Sequence, residues 1–117
     1  MSDGTLSIRT QVLLWAAQRA SAAVLAVCAI IHLAIIIYAV RNGLSAAEIL
    51  GRTRGSYAWC GFYAVFVAAV VVHAPIGLRS VLAETFNWRG RGLELTVLAI
   101  GLALALLGFR AVYSVFI

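Results

Sequence analysis

Two histidines stand inside stretches of the chain that hold no charged side chain, and they are its leading candidates for chemistry. His32 lies within Ala20–Val40 and His73 within Tyr57–Leu78, neither of which contains Asp, Glu, Lys or Arg. An imidazole placed in hydrocarbon must be given a partner, so such a residue marks a functional site by default. Histidines that face one another across a helical bundle are suited to hold haem iron through the lone pair of one ring nitrogen.

His73 has neighbours that fit this chemistry. Gly77 falls one turn along on the same helix face, where a missing side chain would let a flat porphyrin approach the backbone. Arg79 follows near the membrane edge, where a cation could meet a haem propionate. The plainer alternative is a histidine bonded to a neighbouring helix, with Gly77 serving helix packing. His32 has only Cys28 and Ile36 one turn away. It is either a second haem ligand or a structural or water-bound histidine. A further cluster, Gln18-Arg19-Ala20-Ser21, gathers side chains that donate hydrogen bonds to carbonyl oxygens. A quinone head group presents two carbonyls at this depth. The alternative here is an interfacial arginine among helix-capping neighbours.

These residues need helices to position them. The chain has 117 residues, of which 64% are hydrophobic, and a mean hydropathy of +1.04, too apolar for an ordinary soluble domain. Each uncharged run is long enough to cross the ~30 Å hydrocarbon core as a helix. A third apolar run starts at Leu93, carries Glu94 at its start and has Arg110 near its end, placed to snorkel. The expected architecture is all-α and integral to the membrane, a single domain over 1–117. Helix I is expected over about 12–40, helix II over about 57–82 and helix III over about 93–117, together forming part of a multi-chain bundle. Ser45-Ala-Ala-Glu48 has capping-box spacing and predicts a short helix in the first loop. Pro75 should kink helix II, and Trp15 and Trp88 are candidate interface anchors.

Charge and cysteine narrow the class further. Nine arginines and no lysine stand against Asp3, Glu48, Glu84 and Glu94. The arginines are dispersed between spans and make no basic stripe, so nucleic acid is not an expected partner. With the N-terminus inside, five arginines fall on the cytoplasmic side and four outside, which favours that orientation. No cleavable signal peptide is expected, since a clear apolar core and small-residue site are lacking before Arg19. Cys28 and Cys60 form neither a haem-attachment nor a zinc motif and read as small apolar residues.

Gln18-Arg19-Ala20-Ser21-Ala22 resembles the His-Arg-x-Ser-Gly that opens helix I in the membrane-anchor subunits of succinate dehydrogenase and fumarate reductase, the succinate:quinone oxidoreductases. His73-Ala-Pro-Ile-Gly77, followed by Glu84, resembles that family's helix II motif, His-x-x-x-Gly with an acidic residue near the loop. The likeness runs over nearly the whole chain. It implies a membrane-anchor cytochrome b subunit with His73 as an axial ligand of haem b and His32 as a candidate for a second haem. Arg79 and Arg19 would serve the propionates, and Arg19, Ser21 and Gln18 would line a quinone pocket. Gln18 and Ala22 replace the family's histidine and glycine. Thr85 stands where some members carry tyrosine, which makes Trp88 a substitute candidate at the quinone. FAD and iron–sulfur clusters would reside in partner flavoprotein and iron–sulfur subunits, and a second anchor chain would complete the bundle. The implied location is the bacterial inner membrane.

Two other classes compete. A small multidrug-type transporter would need a buried carboxylate, and all four acidic residues lie outside or at the ends of the spans. A haem-free structural assembly subunit would show no b-type spectrum.

Overall fold

Serine hydroxyls open three of the four helices. A computed structural model describes residues 6–117; Asp3 lies outside them. The first helix, α1 (Ile8–Arg41), starts four residues ahead of the expected Val12 because Ser7 accepts from the Thr10 N–H at 3.2 Å. At ~1.5 Å per residue it is ~51 Å long, more than the ~30 Å thickness of the hydrocarbon core. The short α2 (Ala46–Thr53) begins with the Ser45–Glu48 capping box. The third helix, α3 (Tyr57–Thr85), is capped by Ser56 and runs unbroken through Pro75, ending three residues beyond Leu82. Asn87 and Gly90 turn the chain with φ of 52° and 101°. The last helix, α4 (Arg91–Phe116), follows.

The three long helices are each long and apolar enough to cross a membrane. The fold is an all-α membrane bundle, with no strand among the described residues. α3 lies between α1 and α4, which scarcely touch each other. The α3–α4 seam closes on two glycines seven residues apart on one helix face. A Cβ on Gly101 would come within 3.1 Å of Pro75 Cγ, and one on Gly108 within 2.5 Å of Val67 Cγ1. Small residues at such crossings let backbones approach where lipid offers no hydrophobic drive. Leu93, Val97 and Val112 are buried along the same helix, and Ser21 and Cys28 are buried on α1. Cys28 and Cys60 are free thiols. Outward-facing Ile30, Leu33, Val40, Leu98 and Leu106 form an exposed apolar belt, the surface that lipid or neighbouring helices cover.

Antiparallel packing sorts the polar residues to two edges. The first edge gathers Arg19, Arg79 and Glu94. The second gathers Arg41, α2 and the start of α3, where Gly55 N–H donates to the Phe116 carbonyl at 2.7 Å and the Tyr57 and Phe116 rings meet.

Candidate functional site

His73 sits one residue from the Val72 wall of an open groove between α1 and α3, about 340 Å³ in volume, lined largely by Ala17, Ala20, Ser21, Ala68 and Ala69. Its Nδ1 lies 3.5 Å from Ser21 Oγ. That hydroxyl donates to the Gln18 carbonyl at 3.1 Å. A serine hydroxyl has one proton. With it given to Gln18, the oxygen has a lone pair to offer His73, an arrangement compatible with the tautomer that carries its proton on Nδ1. The Nε2 lone pair is then free, and a ligating imidazole needs that arrangement. Ser21 is buried, 7% exposed, so water competes poorly for the bridge.

Gly77 has a use that its spacing left open. A Cβ there would meet Gln18 Nε2 at 3.0 Å. The glycine therefore makes room for the Gln18 amide, which is the packing alternative. Gln18 Oε1 is buried and has no hydrogen-bond partner.

A separate cleft of about 300 Å³ opens at the first edge, where Gln18, Arg19 and Arg79 converge with Trp15, Ile76 and Ser80. Arg19 lies over the Trp15 ring, 5.4 Å from its centroid. Arg79 is held by Glu94, whose Oε1 accepts from both Nε and Nη2 at 2.8 Å. The cleft thus combines two guanidinium groups, of which one is ion-paired, with the Gln11 and Gln18 amides, a hydroxyl and apolar walls. It suits a flat head group that carries carbonyl oxygens. Ser21 faces His73 and does not line this cleft, and neither does Trp88. The Trp88 indole lies over Gly92, 3.6 Å from where a Cβ would stand.

His32 is elsewhere. Its ring packs edge-on against Tyr63 and Phe66, with centroids 5.8 and 5.7 Å away, and its buried Nδ1 has no partner. The Ser21–His73 contact fixes the register of α1 on α3. His32 is eleven residues from Ser21, and Phe66 is seven from His73. At 1.5 Å per residue the two histidines are ~10–16 Å apart along the bundle. Two ligands of one iron sit ~4 Å apart, so these two cannot share one. Among the described residues no group of three or more His, Cys, Asp or Glu could hold a metal ion.

Sequence reasoning missed Glu94 as the partner of Arg79, and Trp15 as a wall of the cleft. Both left signals. Arg79 and Glu94 stand at facing ends of consecutive antiparallel helices, and Trp15 and Arg19 are four apart on one face.

The family described as succinate dehydrogenase/fumarate reductase transmembrane subunit matches the chain over residues 3–112. No curated protein and no solved structure matches it.

Proposed function

We propose, since this chain belongs to the succinate dehydrogenase/fumarate reductase transmembrane-subunit family, that it is a cytochrome b anchor linking a soluble iron–sulfur subunit to quinone. The observation that supports this reading is the contact of His73 Nδ1 with the buried Ser21 hydroxyl, which leaves Nε2 as the nitrogen available to a metal. The donor set fits one half of a bis-imidazole haem site. His73 would hold the iron from this chain, and a second anchor chain, either a copy of this one or a different subunit, would supply the other imidazole. Haem b, when bound, supplies one-electron exchange. Ser21 holds the His73 tautomer and ring orientation, and the alanines on α1 and α3 keep the groove shallow enough for a flat ring.

The quinone head binds in the cleft of the first edge. Arg19 and the Gln18 amide donate to its carbonyls, Glu94 keeps the Arg79 guanidinium in place, and Trp15 and Ile76 shield the ring from water. This edge faces the cytoplasm, where five of the nine arginines fall, and there the iron–sulfur and flavoprotein subunits dock. The dicarboxylate chemistry takes place in those subunits. Among the described residues no carboxylate stands in the middle of a long helix: Glu48 is on the short α2, and Glu84 and Glu94 are exposed near helix ends. That counts against a proton-coupled transporter.

An absorption spectrum of the purified complex tests the reading. A reduced b-type band that is lost in His73→Ala supports it. A full band in that variant, or no haem in the wild-type complex, refutes it.

A further inference from the structure

The second membrane edge holds a cavity larger than the quinone cleft, about 540 Å³, between the last turns of α1, the short α2 and the first turns of α3. Its walls are mostly apolar, with Ile36, Ile49 and Trp59 among them, and it reaches inward to His32. His32 is nine residues from Arg41 at the end of α1, so the cavity runs ~13 Å along the helix at 1.5 Å per residue. Arg52 lines it from α2, and its guanidinium lies over the Tyr38 ring, 5.5 Å from the centroid. That stacking holds the cation at the cavity wall.

The charge at this edge is unbalanced. Arg41, Arg52, Arg54 and Arg110 lie here with one side-chain carboxylate, Glu48. Glu48 is committed to the capping box, accepting from Ser45 Oγ at 3.0 Å and from the Ser45 N–H at 3.4 Å. Among the described residues the one ion pair is Arg79–Glu94, on the other edge. A small aqueous anion would meet the arginine and leave a long apolar wall unused. A neutral isoprenoid molecule would use the wall and leave the arginine unpaired. An anionic lipid uses both.

We propose that this chamber binds an anionic phospholipid, with its phosphate on Arg52 and an acyl chain along the wall formed by Ile36, Ile49 and Trp59. The site is independent of the haem and the quinone. It anchors α2 to the leaflet on the side away from the soluble subunits.

The test uses the whole complex, purified in mild detergent, with its retained phospholipid quantified by class by mass spectrometry. The wild type is expected to keep about one anionic phospholipid per copy of this chain. Arg52→Gln should lower that retention about fivefold, the effect of one arginine near an anionic lipid. Arg54→Gln, which does not line the chamber, should leave it unchanged. Ile36→Trp, which fills the chamber and keeps Arg52, should also release the lipid. If that variant fails to assemble, delipidated wild-type complex is returned to vesicles of phosphatidylcholine with or without phosphatidylglycerol. A higher melting temperature with phosphatidylglycerol, absent in Arg52→Gln, then supports the site. Equal retention in Arg52→Gln overturns the proposal. So does equal loss in Arg54→Gln, which would mean diffuse attraction. Quinone in place of phospholipid, or a partner chain cross-linking to Ile36 in the assembled complex, also overturns it.

Discussion

Replacing Ser21 with alanine removes a single hydroxyl at a site that is 7% exposed and leaves His73 Nδ1 without the acceptor 3.5 Å away. A net intramolecular hydrogen bond is worth ~0.5–1.5 kcal/mol. The His73 contact is at the outer limit of length, so ~0.5 kcal/mol is the appropriate figure. An imidazole that shares its Nδ1 proton with an acceptor is a stronger base toward iron and favours the ferric state. Removing the acceptor should therefore raise the haem midpoint potential. Tenfold in equilibrium is ~1.4 kcal/mol and 59 mV for one electron, so ~0.5 kcal/mol becomes a rise of ~20 mV. Potentiometric titration of the reduced α-band resolves such a change. Ser21→Thr retains a hydroxyl and should hold the potential near that of the wild type. A haem-replete Ser21→Ala complex whose potential is unchanged or lower would refute the assignment of Ser21 as the His73 acceptor.

Three more outcomes are expected. His73→Ala should abolish the b-type signal, whereas His32→Ala should leave it intact, as reduced-minus-oxidised spectra will show; a halved signal in the second variant would reveal another haem. Arg19→Leu should lower quinone-dependent turnover about tenfold or more, as expected for a lost charge-assisted hydrogen bond of ~1.5–3 kcal/mol. Electron transfer from succinate to a soluble dye should survive, and equal loss of both activities would mean an anchoring role. Gly108→Ala should destabilise the α3–α4 seam by ~1–3 kcal/mol, since its Cβ would sit 2.5 Å from Val67. Gly61→Ala, with nothing within 4 Å, is the control in a thermal unfolding series.

The three spans were legible because hydrocarbon demands long uncharged runs, and the short α2 was legible because Ser45 and Glu48 satisfy each other locally. His73 was legible as a polar group out of place. What escaped depends on register. Nothing local says that Ser21 meets His73, or that Gln18 occupies the space over Gly77. Those contacts exist only once α1 is laid against α3. The same holds for Gly101 and Gly108, whose spacing marks one face but not the helix it presses. Sequence grouped Gln18, Arg19, Ser21 and Trp88 around one head group. In the fold, Ser21 and Trp88 face other neighbours, because residues adjacent along a helix point in directions ~100° apart.

The hydrogen bond from Gly55 to the Phe116 carbonyl joins groups about sixty residues apart in the chain. Ribosomes deliver only ~5–20 residues per second, so this clasp must stay open for several seconds while α3 and α4 are threaded into the bilayer. During that interval α2 is tethered at both ends but not pinned, and the cavity beneath it stands open to its surroundings. The second edge therefore closes only once α4 is in place.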